Sequence, residues 1–144
     1  MKRAATLVLV LLAIPAAQAV ELPRIFADGM VVQRDQPVQV WGRAAPGAQV
    51  TVSFAGTAAP ATQADADGRW SLELPAQTAG GPHVMRIDDG TQPRVLNDVL
   101  VGDVWLASGQ SNMEWPIAQS ADPQVEAARA TDPQIRHFKI PKSW

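Results

Sequence analysis

In Val50-Thr51-Val52-Ser53-Phe54-Ala55, the apolar Val50, Val52 and Phe54 alternate with Thr51, Ser53 and Ala55. A period of two puts one face of a strand against a core and the other toward water. Upstream, Ala45-Pro46-Gly47 forms a turn, because proline presets φ and glycine accepts a positive φ. Before it, Val38-Gln39-Val40-Trp41 alternates again, with Trp41 on the second face. Downstream, Asp65-Ala66-Asp67-Gly68 leads into Arg69-Trp70-Ser71-Leu72-Glu73-Leu74, where Trp70, Leu72 and Leu74 share one face. Gly80-Gly81-Pro82 makes the next break, followed by Val84, Met85 and Ile87 and then Asp89-Gly90. Strands this closely spaced, with no helical period between them, predict an antiparallel β-sandwich over residues 20–95.

The character changes near Val95. The run Val95-Leu96-Asn97-Asp98-Val99-Leu100-Val101-Gly102-Asp103 leads into Val104-Trp105-Leu106-Ala107, which suits a strand buried on both faces. Asp122-Pro123 is a helix start, with aspartate capping and proline at the first helical position. Residues 124–130 then read as a short helix closed by Thr131-Asp132-Pro133, and residues 135–140 as another strand. Strand, turn, helix, strand opens a parallel α/β unit that residues 96–144 cannot complete. The expectation is a mainly β chain: a whole small domain joined to the beginning of a larger α/β domain.

Residues 1–19 read as an export signal. Met1-Lys2-Arg3 is a positive start, residues 4–17 are apolar and uncharged, and Ala17-Gln18-Ala19 has the small-x-small pattern of a cleavage site. The alternative, a buried N-terminal helix, does not account for that three-part order. The run is shorter than the roughly 20 apolar residues that span a bilayer, so no stable membrane span is expected after cleavage. The mature chain would start at Val20, in the periplasm or outside the cell. The 144 residues carry 12 basic and 14 acidic side chains, and without Lys2 and Arg3 the net charge falls to −4. That leaves no basic field for a phosphate backbone, so nucleic acid is not an expected partner. With 47% hydrophobic residues the chain has enough apolar surface to fold. Its cysteine count of 0 excludes disulfides, thiol catalysis and cysteine-ligated zinc, and its 2 histidines cannot build a His-rich metal site, so no cofactor or metal is expected.

The chemistry-bearing stretch is Ser108-Gly109-Gln110-Ser111-Asn112-Met113, directly after the apolar run. Doubly wound sheets present their ligands and catalytic groups at such strand ends. With Gly109 two positions earlier, Ser111 can project its hydroxyl from a tight turn, and nearby backbone N–H groups can face a developing oxyanion. The stretch is not a G-x-S-x-G elbow, because Met113 stands at the second glycine. The competing reading is an ordinary turn in which serine and asparagine serve as caps.

The run from Val101 through Ser111 to Pro116, Val101-Gly102-Asp103-Val104-Trp105-Leu106-Ala107-Ser108-Gly109-Gln110-Ser111-Asn112-Met113-Glu114-Trp115-Pro116, resembles the first block of the sialate O-acetylesterases, a branch of the SGNH hydrolases. The resemblance extends through Phe26-Ala27-Asp28-Gly29-Met30-Val31-Val32-Gln33-Arg34, Val40-Trp41-Gly42, Asp67-Gly68-Arg69-Trp70 and Ala79-Gly80-Gly81-Pro82. It implies a flavodoxin-like α/β esterase domain beginning in residues 96–144, an O-acetylated sugar or glycan as substrate, and Ser111 as nucleophile. The Ser111 backbone N–H would be one oxyanion donor, with Gly109, Gln110 and Asn112 supporting the turn. The family's other donors, a glycine and an asparagine, and its Asp-x-x-His lie later in its chains. Here His137 has Gln134 three residues before it and His83 has Gly80, so neither histidine matches. Both read as strand residues.

Trp115 either lines the acyl pocket or packs beneath the nucleophile. Trp41 and Trp70 either stack on sugar rings or belong to the core. Asp65-Ala66-Asp67-Gly68 resembles the start of a calcium loop, but Trp70 and Ala76 occupy the positions that need glycine and glutamate, which leaves a hairpin turn. Pro116 leaves any helix directly after Ser111 either one turn long or kinked. Two functions follow as expectations: part of an exported serine carbohydrate O-acetylesterase, inactive by itself, or an exported β-sandwich binding module without catalysis.

Overall fold

The computed structural model describes residues 19–140, so the export signal expected over residues 1–19 lies almost wholly outside the described residues. The chain is mainly β. Its strands are β1 (Val31–Gln33), β2 (Val38–Arg43), β3 (Gln49–Phe54), β4 (Thr57–Ala58), β5 (Thr62–Gln63), β6 (Arg69–Leu74), β7 (Gly80–Asp88) and β8 (Arg94–Gly102). One sheet runs β1-β8-β7-β3-β4, with β5 also on β3, and the other is the β2–β6 pair. The alternation in β2, β3 and β6 places Val38, Val40, Val50, Val52, Phe54, Trp70, Leu72 and Leu74 inward. They meet Met85, Ile87, Leu96, Val99 and Val101 from β7 and β8 in one core. Burying each such side chain stabilises by about 1.5–3 kcal/mol before the entropy of ordering it is subtracted.

The sandwich is not purely antiparallel. β1 lies parallel to β8, with Val31 opposite Leu100 and Val32 opposite Val101. The segment before β1 is tied alongside β8: the Asn97 N–H donates to Asp28 Oδ1 at 2.6 Å, and the Gly29 N–H to the Asn97 carbonyl at 3.0 Å. Gly80-Gly81-Pro82 is not a break between strands but part of β7, where the β7–β8 register shifts between Gly80 and His83. Asp65-Ala66-Asp67-Gly68 is a turn held by its own aspartate, whose Oδ1 accepts the N–H groups of Asp67 at 2.9 Å and Arg69 at 2.8 Å.

Strand β8 crosses position 95/96, pairing β7 on one side and β1 on the other, so the sandwich extends to Gly102. The apolar run was expected to continue as a strand through residue 107. Instead residues 103–109 carry no strand, and Trp105 and Leu106 are 87% and 86% exposed. A strand apolar on both faces needs neighbours on both edges, and among the described residues none lies beside 104–107. For the same reason residues 135–140 form no strand, leaving Ile135, Phe138 and Ile140 exposed. The expected helix is present as α1 (Pro123–Arg129), with proline in its first turn. Asp122 does not cap it through its side chain. Its φ is 51°, and its carbonyl accepts the Val125 and Glu126 N–H groups instead. No helix among the described residues is long and apolar enough to cross a membrane.

Candidate active-site segment

The segment that carries Ser111 leaves the sandwich at the end of β8, where two side chains from the β1 region hold it. The Val104 N–H donates to Gln33 Oε1 at 2.9 Å, and Arg34 Nε donates to Asp103 Oδ1 at 2.9 Å. The hydrogen bond and then the charge of Asp103 raise the Arg34 pKa above its usual value. Downstream, Arg136 returns to β8 and grips Asp98 with two bonds, Nη1 to Oδ2 at 2.8 Å and Nη2 to Oδ1 at 3.2 Å. Paired guanidinium–carboxylate bonds fix orientation as well as distance. Both ties join residues far apart in sequence, 69 and 38 positions respectively, and no local motif announced them.

Between the ties, Ser111–Glu114 form a single 3₁₀ turn. Gln110 enters it extended, and its carbonyl accepts the Met113 N–H at 2.9 Å. The Asn112 carbonyl accepts the Trp115 N–H at 3.3 Å, which closes the turn. Pro116 stops propagation, and a second 3₁₀ turn, Ile117–Gln119, follows. Gly109 lies before the turn where a Cβ would meet Met113 Cγ at 2.9 Å, a contact with a flexible side chain that can move. Gly109, Gln110, Ser111 and Asn112 are all exposed, so the turn offers the serine hydroxyl to solvent. Trp115 is 63% exposed, and its indole N–H donates to the Gln119 carbonyl at 3.0 Å. It therefore braces the second turn.

Among the described residues no imidazole or carboxylate is hydrogen-bonded to the Ser111 hydroxyl. His83 sits in β7 with its ring edge-to-face on Phe54 at 5.6 Å, a packing role consistent with a strand residue. His137 is exposed and in no strand. The two tryptophans of the sandwich separate: Trp70 is core at 4% exposure, whereas Trp41 keeps 43%. Chemically, the segment supplies an exposed serine hydroxyl and backbone N–H groups on a turn that also carries the Glu114 carboxylate.

No family model matches the chain. It is 32% identical over 127 residues to the mouse sialate O-acetylesterase, covering 80% of this chain and 24% of that protein. To the human sialate O-acetylesterase it is 33% identical over 104 residues, covering 64% of this chain and 20% of the human one. Its fold matches the crystal structure of a carbohydrate acetylesterase from Xanthomonas citri with a TM-score of 0.84 at 52% identity, over 88% of this chain and 29% of that one. The chain thus spans about a quarter of the length of these relatives. In sequence and fold the chain is consistent with a fragment of the sialate O-acetylesterase family, in which a β-sandwich leads into the serine-bearing turn described above.

Proposed function

We propose that residues 20–144 are the sandwich and nucleophile-bearing part of an exported serine carbohydrate O-acetylesterase of the SGNH type. The observation that supports this most is the exposed Ser111 turn, one short tied segment beyond β8, in a chain 52% identical to a carbohydrate acetylesterase. In this reading Ser111 Oγ attacks the acetyl carbonyl of an O-acetylated sugar and its proton passes to a base. The Ser111 backbone N–H donates to the oxyanion, and the sugar oxygen leaves with a proton. Water then hydrolyses the acetyl-serine, releasing acetate and restoring the hydroxyl.

A serine hydroxyl without a positioned base is a weak nucleophile, and general-base help is worth roughly 10²–10⁴ in rate. Each lost oxyanion donor costs about another 10²–10³. His83 packs on Phe54 and His137 makes no hydrogen bond to Ser111 among the described residues, so the 144-residue chain alone is expected to release no measurable acetate. The test compares acetate release from O-acetylated glycans by the polypeptide of the whole reading frame with that of its Ser111→Ala variant. The reading expects turnover in the first and its loss in the second, with unchanged melting temperature. Equal turnover in both would remove Ser111 from the chemistry.

A further inference from the structure

The outer face of the β2–β6 pair carries side chains that the fold does not use. The strands are antiparallel, with Trp41 opposite Ser71 and Arg43 opposite Arg69. All four are exposed, while Val40, Trp70 and Leu72 alternate inward. Trp41 is held without being covered: Phe26 packs against it edge-to-face, with centroids 4.8 Å apart at 78°. The small Ser71 across from it leaves the space beside the indole open. A cleft of about 350 Å³ adjoins Trp41, Arg43 and Arg69.

The arginine pair is the informative feature. Like charges directly opposite in an antiparallel pair repel and destabilise the sheet. Arg34, Arg86 and Arg136 each grip a carboxylate at 3.0 Å or closer, but among the described residues Arg43 and Arg69 form no ion pair. Arg43 reaches only the Asp67 carbonyl, at 3.5 Å. Glu21 also lines the cleft, yet its carboxylate lies within 4.0 Å of neither guanidinium. Two unneutralised forks beside a fixed, open indole complement a ring that has an apolar C–H face and carries a carboxylate.

We propose that this face is a non-catalytic binding site for a glycan containing a carboxylated pyranose, its ring stacked on Trp41 and its carboxylate held by Arg43 and Arg69. The face belongs to the sheet opposite β8, so the proposal does not rest on the role of Ser111. The site would hold an acidic glycan against the sandwich, on a sheet separate from the one that leads to Ser111.

The test is calorimetric titration of the chain with trigalacturonate, with sialyllactose and with neutral xylotriose. Binding of either acidic sugar, at least tenfold tighter than xylotriose and weakening as salt rises, is expected; which acidic sugar binds identifies the carboxylated ring. Trp41→Ala should weaken binding about tenfold. Arg43→Gln with Arg69→Gln, both on the exposed face, should remove the preference for acidic over neutral sugar without lowering the melting temperature. Ser111→Ala should bind like the unmodified chain, which separates failure of this site from failure of the esterase reading. The proposal is overturned if no acidic sugar binds at millimolar concentration, if xylotriose binds equally well, or if the double arginine variant keeps the preference.

Discussion

Replacing Gly68 with alanine should destabilise the sandwich far more than the same change at Gly90, and the difference can be worked from the backbone. Both glycines have left-handed φ, +76° and +85°. A side chain there costs about 1–2 kcal/mol relative to a right-handed conformation. At Gly90 nothing lies within 4 Å of the added Cβ, so that conformational cost is the whole effect. At Gly68 the Cβ would stand 2.5 Å from the Ala44 carbonyl oxygen, a backbone atom that no rotamer change can move. Relief requires the 44–46 turn and the start of β6 to separate, which strains the 2.9 Å bond from the Ala44 N–H to the Gly68 carbonyl. Losing that bond adds about 0.5–1.5 kcal/mol, and displacing Trp70, two residues further on, loosens core packing as well. The totals are about 3 kcal/mol for Gly68→Ala and about 1 kcal/mol for Gly90→Ala. Against the 5–15 kcal/mol typical of a domain, the first is a large fraction. Urea unfolding followed by near-ultraviolet circular dichroism measures both. Losses within about 0.5 kcal/mol of each other would refute the reasoning, since it rests wholly on the contact at Ala44.

Other outcomes follow from the same structure. A chain ending at residue 95 should fail to fold, because it removes the buried Leu96, Val99 and Val101; one ending at 103 should fold and stay monomeric. The longer 20–144 chain should self-associate more than 20–103, since it exposes Trp105, Leu106 and Ile140; size-exclusion chromatography showing the two equally monomeric would contradict this. The Asp88 carboxyl is held below its usual pKa by the Gly90 N–H and then by Arg86. A depressed carboxylate stabilises above its unfolded pKa, near 3.9, and loses that contribution as pH falls through the folded value. Asp88→Asn should therefore be less stable than the unmodified chain at pH 7, and the gap should close on acidification below about pH 4. If the leader is cleaved as its sequence suggests, N-terminal sequencing of exported protein should read from Val20; intact Met1 outside the cytoplasm would count against it.

The strands with one wet face were legible because their alternation is local. Val50, Val52 and Phe54, or Trp70, Leu72 and Leu74, point inward whatever partner they find. Strand β8 was harder. Its apolar pattern resumes just past Gly102-Asp103 as Val104-Trp105-Leu106-Ala107, and the end of the strand is set by the length of β1 beside it and by Gln33 and Arg34, which bind Val104 and Asp103. That information lies about 70 residues away in sequence. The parallel β1–β8 pairing was hidden for the same reason. At the site, the residue types around Ser111 were readable, but the 3₁₀ turn, the role of Trp115 as a brace and the Arg136–Asp98 tie depend on contacts that no local pattern encodes. Trp41 and Trp70 differ in fate because they occupy opposite phases of two paired strands, with Gly42 and not Trp41 standing across from Trp70.

The central claim is that Ser111 carries the acyl group. The direct measurement is a rapid acid quench of the whole-reading-frame enzyme during turnover of an O-acetylated sugar, followed by peptide mass spectrometry. The account expects an acetyl group on the peptide containing Ser111, absent from the Ser111→Ala variant. Acetyl found only on another residue would contradict it.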